Sequence, residues 1–139
     1  MITVYSYYVM DIVHRGHLLM MRNGKAMAGE DGKFIVGILT DEATMEKKPR
    51  PILPFDERIA IALAIEYVDI AVPQHTYSPL DNVRDIKPDI LLESSSHTKE
   101  AIQEARDVVS EWGGRVIVFP YYPGISSTGI KQTIRGDEK

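Results

Sequence analysis

The amino-acid sequence predicts one α/β domain over residues 1–139, a doubly wound sheet of five parallel strands with helices on both faces. Two observations predict it. Short runs rich in β-branched and aromatic residues alternate strictly with segments of helical length and period, a pattern that demands repeated right-handed crossovers. The chain is 139 residues long, 44% apolar and 26% charged, enough for one core and ordinary for a globular domain.

In chain order, ITVYSYYV (residues 2–9) reads as the first strand. The following GHLLMMRNGKAMAG carries leucines and methionines at turn spacing and stops at Gly29, a C-cap. FIVGIL (34–39) is the second strand. Residues 41–55 are expected to be a long irregular connection holding KKPRP, and a loop of that length in an α/β domain is more often functional than idle. DERIAIALAIEY reads as a helix with acids in its first turn and Ile59, Leu63 and Tyr67 on one buried stripe. DIAVP (69–73) is the third strand, and SPLDNVRDI opens a helix with Ser78 as cap and Pro79 at its first position. DILLE (89–93) is the fourth strand, followed by a helix from Thr98 that stops at Gly113 and Gly114. RVIVF (115–119) is the fifth strand, and SSTGIKQTIR a last short helix. Such continuous apolar strands suit a sheet covered on both faces.

Composition narrows the function. A net charge of −4 argues against non-specific nucleic-acid binding, although a local basic cluster can still grip a phosphate. The absence of cysteine excludes disulfides, thiolate metal sites and cysteine nucleophiles. No apolar run approaches the ~20 residues of a membrane span, and the start lacks the features of a signal peptide. The expected location is cytoplasmic.

In open α/β sheets, ligands sit beyond the carboxyl ends of the strands, and the chemically notable residues gather there. After the first strand comes MDIVHRGH, in which His14 and His17 stand three apart around Gly16. Gly16 permits close approach at a helix N-terminus, which favours an anion, and two imidazoles on one helical turn can face it. The same residues would also serve as a plain helix cap, and a metal site is disfavoured for want of further ligands. Lys47, Lys48 and Arg50 form a basic cluster after the second strand, which is equally what a solvated loop looks like. Before the last helix, Ser126, Ser127 and Thr128 can cap it, and three hydroxyls between glycines would also line an anion site.

Asp11-x-x-His14-x-Gly16-His17 and Ile125-Ser126-Ser127-Thr128-x-Ile130-Lys131, in this order at opposite ends of one domain, resemble the cytidylyltransferase-like nucleotidyltransferase superfamily, and above all its small glycerol-3-phosphate cytidylyltransferases. The resemblance covers nearly the whole chain and implies a Rossmann-like sheet. It also implies that an acceptor phosphate or phosphonate attacks the α-phosphorus of a nucleoside triphosphate, CTP by likeness, and expels pyrophosphate. By motif, His14, His17 and Lys47 are implied as catalytic, with Lys48 a near competitor of Lys47. Tyr8, Val9, Met10, Asp11, Gly16, Ser126, Ser127 and Thr128 are implied to hold the nucleotide. Mg²⁺ is implied on the triphosphate, and the family implies a homodimer through EYVDIAVP. The chain departs from the family's pattern at Tyr8-Val9-Met10, where Gly-x-Phe is common, and at Glu66, where many relatives carry arginine. It departs again at Glu93, Ser94, Ser95, Ser96 and His97, where a Gly-Asp-Asp-like turn is usual. Those last five residues, with Lys48, are expected to contact the acceptor. Two other functions stay open: an adenylyltransferase on the same fold, making ADP-heptose or flavin adenine dinucleotide, and a nucleotide sensor without turnover.

Overall fold

A computed structural model describes residues 1–120 and 122–136 of the chain. Its elements run β1 (Thr3–Tyr8), α1 (Arg15–Ala28), β2 (Lys33–Leu39), α2 (Asp41–Met45), α3 (Phe55–Ala64), β3 (Ile70–Gln74), α4 (Leu80–Ile86), β4 (Ile90–Ser94), α5 (Lys99–Ser110), β5 (Arg115–Phe119) and α6 (Ser127–Arg135). The five strands form one parallel sheet in the order β3-β2-β1-β4-β5. The chain winds outward from β1 to β3, then returns across β1 to build β4 and β5. The order therefore reverses between β1 and β4, and the crevice beyond their carboxyl ends is where such sheets take ligands.

Alternation along the strands sorts the core onto two faces. Val4, Phe34, Val36, Ile38, Ile90 and Leu92 pack with Met21 and Ala28 of α1 and Ala62 of α3. Tyr5, Ile35 and Leu91 face the other way, against Val83 of α4 and Ala105, Val108 and Val109 of α5. On this second face Gly37 is required by close packing: a Cβ there would fall 1.9 Å from the Tyr5 hydroxyl. That hydroxyl donates to Gln74 Oε1 at 2.6 Å, and the Gln74 amide in turn holds the Thr76 and Tyr77 carbonyls of the turn after β3.

Three local expectations are corrected. Residues 41–55 are not wholly irregular, because Thr40 caps a short helix, α2, through the Ala43 N–H. Ser78 is not the cap of α4. The helix begins at Leu80, its N-cap is Pro79, and Ser78 Oγ reaches only the Leu80 N–H at 3.3 Å. The α3 stripe holds in part: Ile59, and Tyr67 just beyond the helix end, pack against the first core face, but Leu63 is 60% exposed and the buried positions of the helix are Arg58 and Ala62. The physical reason for the last is Arg58, whose bonds to the strand ends fix the helix rotation. By contrast, Gly29 closes α1 at positive φ, and Thr98 caps α5 through the Ala101 N–H.

Candidate active site

A cavity of about 790 Å³ lies at the β1/β4 switch point, within the size range of small-molecule sites. Its walls come from the ends of β1, β2, β4 and β5, the first turns of α1 and α6, and residues 48–51.

His14 is the N-cap of α1. Its Nδ1 accepts the Gly16 N–H at 3.0 Å, and His17 Nδ1 accepts the His14 N–H at 3.1 Å, so the two rings form a reciprocal capping box. With both Nδ1 atoms accepting, each neutral ring carries its proton on Nε2. A Cβ at Gly16 would sit 2.7 Å from His14 Cε1 and 3.0 Å from Tyr122 Cδ2, so the folded-back His14 ring requires glycine here. The ring centroids are 4.2 Å apart, with Tyr8 edge-on to His17 and Tyr122 stacked on His14. Burial lowers the pKa of His14. Burial, the neighbouring His14 and the Lys48 charge bring His17 down to about 4. At neutral pH the pair therefore offers two uncharged N–H donors to the cavity. The capping role and the anion-facing role, which compete in the sequence, coexist: capping uses Nδ1 and leaves Nε2.

Asp11 lines the cavity but its carboxylate is committed to the framework. Oδ2 accepts the Ile52 N–H at 2.8 Å, Oδ1 accepts the Leu53 N–H at 2.9 Å, and Lys131 of α6 makes an ion pair with Oδ2. Burial would raise its pKa, but Lys131 and the Leu53 and Ile52 N–H groups outweigh that and hold it low. Asp11 thus ties the loop after α2 to the last helix.

Tyr8, Val9 and Met10 complete the β1 end of the cavity wall. Among the basic residues, Lys48 lines the cavity, whereas Lys47 stands outside it with Nζ 5.8 Å from the Tyr77 ring centroid. Lys48 is thus in the cavity wall, and Lys47 lies beside it, over Tyr77, which is also in that wall. Arg50, Lys131 and Arg135 also line it, giving a positive wall in a chain of net charge −4. At α6, Ser126 Oγ caps the helix through the Gly129 N–H and Ser127 Oγ donates to the Ile12 carbonyl at 2.7 Å. Thr128 lines the cavity with a hydroxyl that has no partner among the described residues, beside the open first turn of the helix.

The end of β4 brings Glu93 and Ser94, and the turn after it Ser96 and His97, to the same cavity. Ser95 is not in its wall; its N–H donates to the Phe119 carbonyl. Glu93 is 3% exposed, and burial pushes its carboxyl up to about 7 against the lowering effect of the Tyr7 hydrogen bond. The His97 ring, 3.8 Å from Glu93 Oε2, is lowered by burial and by Lys48.

Sequence reasoning missed two residues. Tyr7 donates to Glu93 Oε2 at 3.0 Å, and nothing separates it in the sequence from the other strand tyrosines. Arg58 is fully buried and binds the Val9, Leu39 and Leu53 carbonyls and Asp41 Oδ1 at 2.7–2.9 Å, which fixes the carboxyl ends of β1 and β2. Its only signal is a charged residue i−4 to Ala62 on the side that proves to be buried.

The fold and this site define a nucleotide-handling α/β protein, and the comparisons make it specific. The sequence model of the cytidylyltransferase-like family matches residues 9–133, and the chain belongs to that family of nucleotidyltransferases. It is 33% identical over 127 residues to the bifunctional protein HldE of Acidiphilium cryptum, covering 90% of this chain and 25% of that protein. HldE of Yersinia enterocolitica is 31% identical over 129 residues, with 91% and 26% covered. The chain thus spans about a quarter of the length of these relatives. Among solved structures it resembles a lipopolysaccharide core biosynthesis protein from Thermoplasma volcanium, with TM-score 0.72 and 24% identity over 89% of this chain and 98% of that one. A protein of unknown function from Archaeoglobus fulgidus gives TM-score 0.70 at 17% identity, covering 90% and 94%. At those identities the structural likeness shows the fold alone.

Proposed function

We propose that the chain transfers a nucleoside monophosphate from a triphosphate to the phosphate of a small acceptor, releasing pyrophosphate. The observation that carries this reading is the pair of Nδ1-anchored imidazoles, His14 and His17, at the switch point of the sheet. An acceptor phosphate oxygen forms a bond to the α-phosphorus while the bond to the β-bridging oxygen breaks, and pyrophosphate leaves with that electron pair. The acceptor is already ionised near neutrality, so no protein nucleophile or strong base is needed; positioning and charge neutralisation supply the rate. Nε2–H of each histidine donates to oxygens on which charge develops, and Lys48, Thr128 and the α6 N-terminus hold the outer phosphates. With Asp11 fully engaged by Lys131 and backbone N–H groups, Mg²⁺ would be carried by the triphosphate itself.

For the finer identity, the HldE relatives favour the adenylyl reading, with ATP as donor and a phosphorylated sugar as acceptor. CTP is the second reading, supported by the family to which the chain belongs. Pyrophosphate release from ATP and CTP, screened against phosphorylated sugars, polyols and phosphonates with Mg²⁺, separates the two. Release with CTP alone removes the adenylyl reading, and release with neither removes the enzyme in favour of a nucleotide sensor.

The same reading includes a cytoplasmic homodimer. β3 is an edge strand whose first residue, Ile70, is 41% exposed, and Leu63 of the neighbouring α3 is 60% exposed. Pro73 within β3 opposes strand-to-strand extension, so the contact would be face to face. Light scattering at micromolar concentration should give twice the chain mass; a monomer mass counts against pairing.

A further inference from the structure

Glu93 Oε1 is the one buried side-chain nitrogen or oxygen among the described residues without a hydrogen-bond partner. An unmet buried polar atom costs on the order of 1–3 kcal/mol, so it calls for a reason. Its surroundings supply one. Val4 pairs with Ile90 and Tyr5 with Leu91, so the register carries Tyr7 to Glu93 two residues on, both on the α4/α5 face of the sheet. Tyr7 Oη donates to Glu93 Oε2 at 3.0 Å and lies 3.5 Å from His97 Nδ1, with the His97 ring edge-on to it at 5.6 Å. Tyr8, the next residue of β1, points to the opposite face and touches His17. The cavity therefore has two halves, one at the paired histidines and one at Glu93, and the charge of Lys48 is felt by both His17 and His97.

We propose that Glu93, held by Tyr7 and flanked by His97, is a specificity residue for the organic part of the acceptor, and that this part carries a hydroxyl or ammonium donor which pairs with Oε1. The inference rests on the nucleotidyl-transfer reading given above. With Glu93 ionised and Oε2 already served by Tyr7, Oε1 is met only by a second donor; an alkyl group leaves it unmet, and a second anion is repelled. Burial pushes Glu93 up to about 7, so both of its forms are populated at neutral pH. A hydroxyl suits either form, whereas an ammonium selects the ionised one.

The test uses three probes that share one two-carbon phosphate ester: ethyl phosphate, 2-hydroxyethyl phosphate and 2-aminoethyl phosphate. Each is titrated calorimetrically into the full chain saturated with an α,β-methylene triphosphate. One donor-bearing probe should bind at least about tenfold more tightly than ethyl phosphate. In Glu93→Leu that ratio should collapse towards one. In Glu93→Gln, which keeps the shape and a carbonyl oxygen, a hydroxyl preference survives and an ammonium preference is lost, which tells the donors apart. Circular dichroism confirms that both variants fold. Equal binding of the three probes by wild type, tighter binding of ethyl phosphate, or no binding of any overturns the proposal. Triphosphate binding is followed on the same samples, and pyrophosphate release on parallel samples that hold the cleavable triphosphate. Failure there removes the reading of function itself, whereas triphosphate binding without acceptor discrimination removes only this inference.

Discussion

His14 and His17 are donors because backbone N–H groups have already claimed their Nδ1 atoms, and burial keeps the rings uncharged at neutral pH. If His17 acts mainly on charge that develops at the α-phosphate, His17→Ala should lower kcat by about 10²–10³. Triphosphate affinity should change by less than about tenfold. Single-turnover rates beside direct binding measure both, and a variant that binds poorly but turns over normally when saturated would make the ring a grip and not a catalyst. With a folded-state pKa of about 4, His17 should add no inflection of its own near 6.5 to the pH profile of kcat, so a step there that survives in Glu93→Gln and disappears in His17→Ala contradicts the buried, neutral ring. A second residue-scale outcome separates the two lysines. Lys48 lines the cavity and Lys47 rests against Tyr77, so Lys48→Ala should reduce kcat/KM more than Lys47→Ala. The opposite order in steady-state kinetics would restore the assignment drawn from the motif alone. Spacing could not make this choice, because adjacent loop residues point in directions that only the turn after α2 determines.

Between elements, two buried charges do the holding. Arg58 joins α3 to the ends of β1 and β2 and to Asp41 of α2, and Asp11 joins the 52–53 backbone to α6. Truncating Arg58 would orphan three carbonyls and leave Asp41 with only the exposed Arg50, 3.9 Å away. Arg58→Leu is therefore expected to cost about 3–5 kcal/mol, the scale for breaking a buried pair from one side. Urea unfolding checks it, and a loss below about 1 kcal/mol would mean that the carbonyls find water instead. The same residue marks the limit of what the chain discloses. The strands were legible to within a residue or so, because continuous apolar runs between helical segments admit few alternatives. The α3 stripe was legible only at Ile59 and Tyr67 and not at Leu63, since a pattern of apolar spacing counts arginine as solvent-facing. Nothing in a linear sequence shows that the carbonyls of Val9 and Leu39 will converge on it.

At the scale of the whole molecule, the switch-point cavity sets two buried titratable groups against each other. Glu93, raised to about 7 from 4.5, keeps its proton in the folded state after the unfolded chain has lost it. Between those values folding binds the extra proton, so its contribution makes stability fall as pH rises, by about 3 kcal/mol in all at ~1.4 kcal/mol per pH unit. His17, lowered from 6.5 to about 4, does the reverse: the unfolded chain binds more protons between those values, and stability rises with pH. The groups facing Glu93 do not reproduce its slope, because Tyr7 and Tyr8 are raised by burial and stay neutral, and His97 is lowered. Wild type should thus show a shallow dependence from pH 4.5 to 7, the sum of opposed slopes. Glu93→Gln removes the falling one, so its stability relative to wild type should improve as pH rises from 5 to 7 and level off towards 8. Denaturant unfolding at pH 5, 6, 7 and 8 reads the difference directly. A gap that stays constant from pH 5 to 7 shows that Glu93 is ionised across that range and overturns its raised pKa.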